Sequence, residues 1–252
     1  MKRDNTMTRR YLADAGVATG MRVLEIGCGS GEVTQILAEL VGPTGSVLAV
    51  DRNEGALVLA QENLRAQGIE HVQFLAVDVA SDLSSLHTVP DGSFDVLAGR
   101  RVLMYLPDPA AVVRRFVRWL RSDGIVVFEE ADSTMTPGRV SPMTAHDKMA
   151  GWLNNMLVAE GADPSMGFHL PATLARAGLV FERVRAEATI QGQATQFPYS
   201  TLLKLVQERV IAANIATRTE VEALAAELDA ESIDPTRVYV SDMSFCAWAR
   251  KP

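Results

Sequence analysis

Three glycines at alternate positions, Gly27, Gly29 and Gly31, close the segment VLEIGCGSG at residues 23–31. An apolar run leads into them and an amphipathic run leads away, so the segment reads as a strand, a glycine turn and the start of a helix. Glycines let the backbone come close to a ligand at φ angles that a side chain would penalise. The helix start offers unpaired N–H groups to an anionic group. Asp51 ends the next apolar run, and a carboxylate there can accept two hydrogen bonds from ribose hydroxyls. Asp78 ends the third run, where an acid can read an adenine amino group. The chemistry implied is the binding of a nucleoside-bearing cofactor. A nicotinamide dinucleotide needs G-x-G-x-x-G, and counted from Gly27 the sixth position is Glu32, so that fingerprint fails. A purely structural glycine turn would leave Asp51 and Asp78 without a purpose.

These residues need a scaffold that brings strand ends side by side. Residues 22–26, 47–50, 72–77, 94–98 and 125–128 are short, nearly continuous apolar runs, as in strands of a parallel sheet buried on both faces. Helical patterns separate them. One carries Val33, Ile36, Leu37 and Leu40 and stops at Gly42; one follows Asn53 as N-cap and ends near Gly68; one starts at Asp108-Pro109 and buries Val112, Val113, Phe116 and Leu120. This alternation gives right-handed crossovers and a doubly wound sheet. The second half changes character. A helix opening at Ser141-Pro142 places Met149, Trp152, Leu153, Met156 and Leu157 at helical spacing, and a short helix covers residues 170–178. Residues 181–188 and 245–250 read as two more strands, with helices between them at about 199–213 and 219–228. The second of those carries a capping box, Thr219 with Glu222. The expected fold is one α/β domain over residues 1–252. It has a Rossmann-like, seven-stranded, mostly parallel sheet, helices on both faces, and helical lid insertions at about 136–168 and 192–230.

The motif set resembles that of the class I S-adenosylmethionine-dependent methyltransferases. VLEIGCGSG is similar to their first motif, AVDRNEGAL to the acidic ribose-binding motif, and AVDVAS to the adenine-edge motif. FDVLAGRRVLMYLPDP is similar to the segment after the fourth strand and SDGIVVFEEAD to the fifth strand with its preceding turn. The subgroup it looks most like is the ubiquinone/menaquinone-biosynthesis type of small-molecule methyltransferase. The resemblance is strong over residues 21–132 and weak beyond. It implies a cofactor, S-adenosylmethionine, leaving as S-adenosylhomocysteine. It places Glu25, Gly27, Cys28, Gly29, Gly31, Gly99 and Arg100 near the methionine moiety, Asp51 on the ribose, Arg52 against the adenine, and Asp78 with Val79 at the adenine edge. Relatives often carry His where this chain has Tyr105, so a His-based role is not carried over.

A sulfonium is already an activated methyl donor, so the protein must align an acceptor and sometimes remove a proton. Glu130, Tyr105 and His146 are the catalytic candidates, with Asp132 and His169 behind them. Glu130 and Asp132 are read as following the fifth strand, His169 as part of a loop, and His146 as facing the polar side of its helix. Five of the ten methionines fall between residues 135 and 166, beside Trp152. Methionine adapts to irregular apolar pockets. Trp152, Met149, Met156 and Tyr199 are therefore expected to contact a small, hydrophobic or aromatic acceptor under a lid, with Phe197, Leu202 and Leu203 as a second wall.

The chain is acidic, with formal net charge -7, against the Lys/Arg surplus that a nucleic-acid backbone demands. Arg114 and Arg115 read as a solvated helix face. No run approaches the roughly 18 apolar residues of a membrane span. Two cysteines, Cys28 and Cys246, make neither a disulfide framework nor a zinc site, and no metal site is read. The N-terminus lacks the apolar core of a signal peptide, so a cytoplasmic location is expected. The partner expected is a small-molecule acceptor, with a homodimer allowed and the acceptor atom, C, O or N, open.

Overall fold

The computed structural model describes residues 5–81, 83, 86–135, 138–139, 141–192, 199–234 and 236–252. Phe197 lies outside the described residues, as do residues 136–137, 140 and 193–198 of the two expected lid stretches. The chain divides into two compact units, one built from residues 5–130, 166–185 and 245–252, the other from residues 131–165 and 186–244.

In chain order the elements are α1 (Thr6–Asp14), β1 (Arg22–Ile26), α2 (Glu32–Val41), β2 (Ser46–Asp51), α3 (Glu54–Arg65), β3 (Val72–Ala76), β4 (Phe94–Arg100), α4 (Pro109–Val117) and β5 (Leu120–Asp132). There follow α5 (Thr144–Ala159), α6 (Met166–Arg176), β6 (Val180–Glu187), β7 (Ile190–Gln191), α7 (Tyr199–Ala212), α8 (Arg218–Ser232), β8 (Tyr239–Val240) and β9 (Met243–Arg250). The main sheet has seven strands in the order β3-β2-β1-β4-β5-β9-β6. β1 runs parallel to β2 and β4, β2 to β3, and β4 to β5. The chain winds outward from β1 to β3 and then returns to lay β4 on the other side of β1. That reversal opens a crevice at the carboxyl ends of β1 and β4, the place where open α/β sheets take ligands.

The expected strands form because their apolar runs are covered on both faces. Val23, Leu24 and Ile26 of β1, and Val96, Leu97 and Ala98 of β4, are wholly buried. The expected caps are in place. Gly42 ends α2 at φ 63°, the Asn53 side chain accepts from the Ala56 amide, and Asp108 accepts from the Ala111 amide ahead of a first-turn proline.

Several boundaries differ from the sequence reading. α4 stops at Val117, so Leu120 opens β5 and is buried there. β5 continues through Glu129–Asp132, which puts Glu130 and Asp132 inside the strand rather than after it. α5 starts at Thr144, two residues beyond the proline. α6 starts at Met166 and carries Pro171 inside it, so His169 is helical and exposed. α1, unforeseen, buries Thr8, Tyr11 and Leu12. The helical unit contains a small ribbon, β7 with β8, which two-residue strands do not announce in sequence.

The helical unit has its own core, in which Met149 and Met156 of α5, Leu203, Val206 and Val210 of α7, and Val221, Leu224 and Leu228 of α8 are buried together. Its capping box is Thr217 with Glu220, one pair upstream of the expected Thr219 and Glu222. The Thr217 hydroxyl lies 3.3 Å from the Glu220 amide, and the Thr217 amide donates to the Glu220 carboxylate at 2.7 Å. The earlier pair starts α8 two residues sooner, at Arg218, with Val221 buried in its first turns. Thr217→Ala is expected to cost about 1 kcal/mol, a fall of roughly 2–4 °C in melting temperature. Thr219→Ala should change it by less than about 1 °C. Calorimetric unfolding of both variants checks the assignment, and equal effects would contradict it.

Candidate functional site

The glycine turn hangs from the end of β2. The Gly27 and Cys28 amides donate to the Val50 carbonyl at 2.8 and 3.1 Å, and the Gly29 amide donates to Asp51 Oδ2 at 2.8 Å. Asp51 Oδ1 accepts from the Asn53 amide at 2.9 Å. Each carboxylate oxygen keeps a second acceptor site, so the group can still take two hydroxyl donors. Gly27 has φ 70°, and a Cβ there would stand 2.5 Å from Val102 Cγ2. Gly29 is different: at φ 51° it would place a Cβ in open space, with nothing within 4 Å. The close packing at Gly27 thus serves the protein itself, whereas the bare backbone at Gly29 faces room for a ligand. Gly31 is the N-cap of α2 and supplies no side-chain acceptor, which leaves the first-turn N–H groups available to an outside group. A bare glycine, an uncapped helix start and a carboxylate with spare acceptor sites fit a nucleoside that also carries an anionic group.

Glu25 lies beneath the turn, 1% exposed. Burial pushes its carboxyl up to about 7, against the opposing pull of the Thr34 hydrogen bond and the Arg100 charge. The Thr34 hydroxyl donates to Glu25 Oε2 at 2.6 Å. Cys28 is buried and its thiol is pushed up by that burial, so it remains a thiol. Asp78 follows β3 in an Asx turn, accepting from the Ala80 amide at 3.0 Å and from the Ser81 hydroxyl at 2.9 Å, with Val79 buried and Arg52 exposed. A Cβ on Gly99 would press on the Phe128 ring at 2.7 Å and the Ile26 carbonyl at 2.9 Å, so this glycine is a packing requirement of the sheet. The Arg100 guanidinium, expected near the methionine moiety, donates to Asn5 at 2.9 Å, Thr8 at 3.1 Å and Glu32 at 2.6 Å. It fastens α1 to the start of α2.

Past β4 the chain turns sharply at Arg101, whose φ of 53° is in the left-handed region. Glu130 Oε1 accepts from the Val102 and Leu103 amides at 3.0 and 2.8 Å. Glu130 is wholly buried, and desolvation raises its carboxyl to about 8 against those two hydrogen bonds. Its bonds anchor the Val102–Leu103 turn. Tyr105 ends that turn, 44% exposed.

In the helical unit, Asp132 is buried and its Oδ1 accepts from the Thr134 amide and hydroxyl and the Met135 amide. His146, expected on the surface, is 2% exposed, stacked on Tyr199 at 4.3 Å and edge-on to Tyr239 at 4.2 Å. Helical periodicity missed this because the tyrosines come from segments distant in sequence. Met149 and Met156 are packing residues of the helical core, and Trp152 is half-buried against it with the Lys148 ammonium 5.3 Å above its ring. Asn5, Thr8, Glu32, Thr34 and Val102 escaped the sequence reading. Only Thr34, a polar residue on the apolar face of α2, carried a signal that could have found it.

A family model described as a methyltransferase domain matches residues 18–174. The chain belongs to the methyltransferase domain family. It is 37% identical over 115 residues to the arsenite methyltransferase of Aquipseudomonas alcaligenes, covering 44% of this chain and 33% of that protein. It is 31% identical over 122 residues to the demethylmenaquinone methyltransferase of Lactococcus lactis, covering 48% of this chain and 46% of that one. The chain thus matches less than half the length of these two relatives. Among solved structures, a geranyl diphosphate C-methyltransferase from Streptomyces coelicolor, in complex with S-adenosyl-L-homocysteine, aligns with TM-score 0.58 at 14% identity, covering 98% of this chain and 81% of that one. The shared fold of this methyltransferase family puts the glycine turn and Asp51 at the carboxyl ends of adjacent strands. No helix among the described residues is long and apolar enough to cross a membrane.

Glu130 generates a pH prediction. Its folded value, about 8, lies above the ordinary 4.5, so the buried neutral carboxyl adds stability that is full below pH 4.5 and is lost as pH rises through 8. Glu25, raised to about 7, acts in the same direction. The melting temperature should fall by several degrees between pH 5 and pH 8, and Glu130→Gln should remove the larger part of that fall. Thermal unfolding across this range decides it; a slope unchanged by Glu130→Gln would contradict the protonated anchor.

Proposed function

We propose that this chain transfers a methyl group from S-adenosylmethionine to a small, apolar or aromatic organic acceptor. The observation that carries the reading is the glycine turn with its open side at Gly29, tied to an Asp51 carboxylate that keeps two acceptor sites free. When bound, the cofactor supplies an activated methyl on a sulfonium, which an acceptor C, O or N attacks in line. The acceptor gains the methyl, the thioether S-adenosylhomocysteine leaves, and any proton lost by the acceptor passes to solvent.

The chain's residues do the rest. Asp51 accepts the ribose hydroxyls, and Asp78 with Val79 borders the adenine. The first-turn N–H groups of α2 face the anionic end of the amino-acid moiety. Glu130 fixes the Val102–Leu103 turn and so the approach past Tyr105, a positioning role. Trp152 and Tyr199, on the apolar helices of the second unit, are the acceptor contacts we favour over the fully buried Met149 and Met156. An apolar acceptor agrees with the substrate named for one similar protein, demethylmenaquinone. The acidity of the chain argues against a nucleic-acid acceptor.

Titration calorimetry with S-adenosylhomocysteine tests this. The native chain should bind it and should not bind NADH. Asp51→Ala should weaken binding by about 1.5–3 kcal/mol, roughly 10- to 150-fold. It should also lower the melting temperature modestly, because two backbone amides lose their acceptor. Binding of NADH alone, or unchanged affinity in Asp51→Ala, would overturn the reading.

A further inference from the structure

The turn that follows β3 takes its shape from Asp78. Its Oδ1 accepts from the Ala80 amide at 3.0 Å, its Oδ2 from the Ser81 hydroxyl at 2.9 Å, and its carbonyl from the Ser81 amide at 3.2 Å. These bonds use the donors of Ala80 and Ser81 and leave their two carbonyls to be served from elsewhere. Arg115 of α4 serves both. Its Nη1 donates to the Ala80 carbonyl at 3.3 Å and its Nη2 to the Ser81 carbonyl at 3.5 Å. A planar guanidinium fork suits two neighbouring acceptors, which a single ammonium does not. The helical pattern puts Arg115 on a solvated face, and it is exposed there. The turn it holds lies 35 residues back from Arg115, so nothing local announces the contact.

α4 is a firm support, because Val112, Val113 and Phe116 are buried on its other face. Its two adjacent arginines diverge, since successive helical residues point about 100° apart. Arg114 Nη2 donates to the Arg176 carbonyl at 2.5 Å, at the end of α6, while Arg115 reaches the turn. The charge of Arg115 also acts through the peptide link. The Ala80 carbonyl and the Ser81 amide belong to one peptide group. Drawing electrons towards the oxygen makes the N–H a stronger donor, and that N–H closes the turn on the Asp78 carbonyl.

We propose that Arg115 is a positioning residue for the adenine side of the cofactor site, its guanidinium holding the Asp78–Ser81 turn closed. In resting on the function proposed above, this adds the residue through which α4 supports Asp78 and Val79. Arg115 acts through the turn, so only ligands that carry the base depend on it.

The test titrates the full chain by calorimetry with S-adenosylhomocysteine and with S-ribosylhomocysteine, which keeps the ribose and amino-acid parts and lacks the base. Arg115→Ala should weaken S-adenosylhomocysteine about fivefold, a modest loss because both bonds are long and exposed, and leave S-ribosylhomocysteine within twofold. Arg115→Lys, which reaches one carbonyl at a time, should fall between native and Ala. Arg114→Ala removes a like bond from the same helix and should bind both ligands as the native chain does. Amide exchange at Ser81 in the ligand-free chain should quicken in Arg115→Ala and stay native in Arg114→Ala. Equal loss for both ligands, or the same loss in Arg114→Ala, marks a general loosening of α4 and overturns the proposal. Native S-adenosylhomocysteine affinity in Arg115→Ala, or unchanged Ser81 exchange, overturns it as well. If S-ribosylhomocysteine binds too weakly to titrate, the contrast between Arg115→Ala and Arg114→Ala decides. If the native chain does not bind S-adenosylhomocysteine, the methyltransferase reading fails, while Ser81 exchange still reports on the Arg115 clamp.

Discussion

The Asp51 carboxylate reaches from the end of β2 to the Gly29 amide, 2.8 Å away, and joins two loops that the sheet alone would only set side by side. A charge-assisted bond of this kind is stronger than an ordinary amide–carbonyl bond. It fixes the one glycine of the turn whose missing side chain faces open space, and the same carboxylate takes the Asn53 amide that starts α3. One side chain therefore sets the glycine turn, the N-terminal end of a helix and the spare acceptor sites that a ribose needs. Removing it would disturb all three together.

Around this centre lie several polar anchors. Arg100 ties α1 to the first residue of α2, and Glu130 gathers the Val102 and Leu103 amides after the left-handed Arg101. Val102 then packs on Gly27, where any side chain would collide with it. The anchor at Glu130 is thus connected through Val102 to the turn that Asp51 fixes. Both buried carboxyls, Glu25 and Glu130, are raised by desolvation, the expected response of an acid removed from water without a full counter-charge. Glu25 accepts from the Thr34 hydroxyl and Glu130 from the Val102 and Leu103 amides, so each holds a neighbouring segment in place.

How much of this was legible in the sequence follows from range. The strands of the parallel sheet, the caps at Asn53 and Asp108, and the Gly27–Gly29–Gly31 turn are local signals, and each is present where the pattern put it. So is Asp51, because its position at a strand end is fixed by the strand before it. The misplacements need long-range information. His146 looked exposed because its own helix shows a polar neighbourhood, while Tyr199 and Tyr239, which bury it, stand some 50 and 90 residues further along. The bonds of Arg100 to Asn5 and Thr8, at the start of an unforeseen helix, are likewise long-range. The capping box slipped by one pair because Thr217–Glu220 and Thr219–Glu222 satisfy the same spacing, so local pattern alone does not choose between them.

The central claim is that Asp51 prepares the glycine turn before any cofactor arrives. Amide hydrogen exchange at Gly29, read by NMR in the ligand-free full chain and again with S-adenosylhomocysteine, tests it most directly. A prepared site predicts a Gly29 amide already protected without ligand, protected to a similar degree with it, and exposed in Asp51→Ala. A Gly29 amide that exchanges freely in the native ligand-free chain, and becomes protected only when S-adenosylhomocysteine binds, would contradict the account.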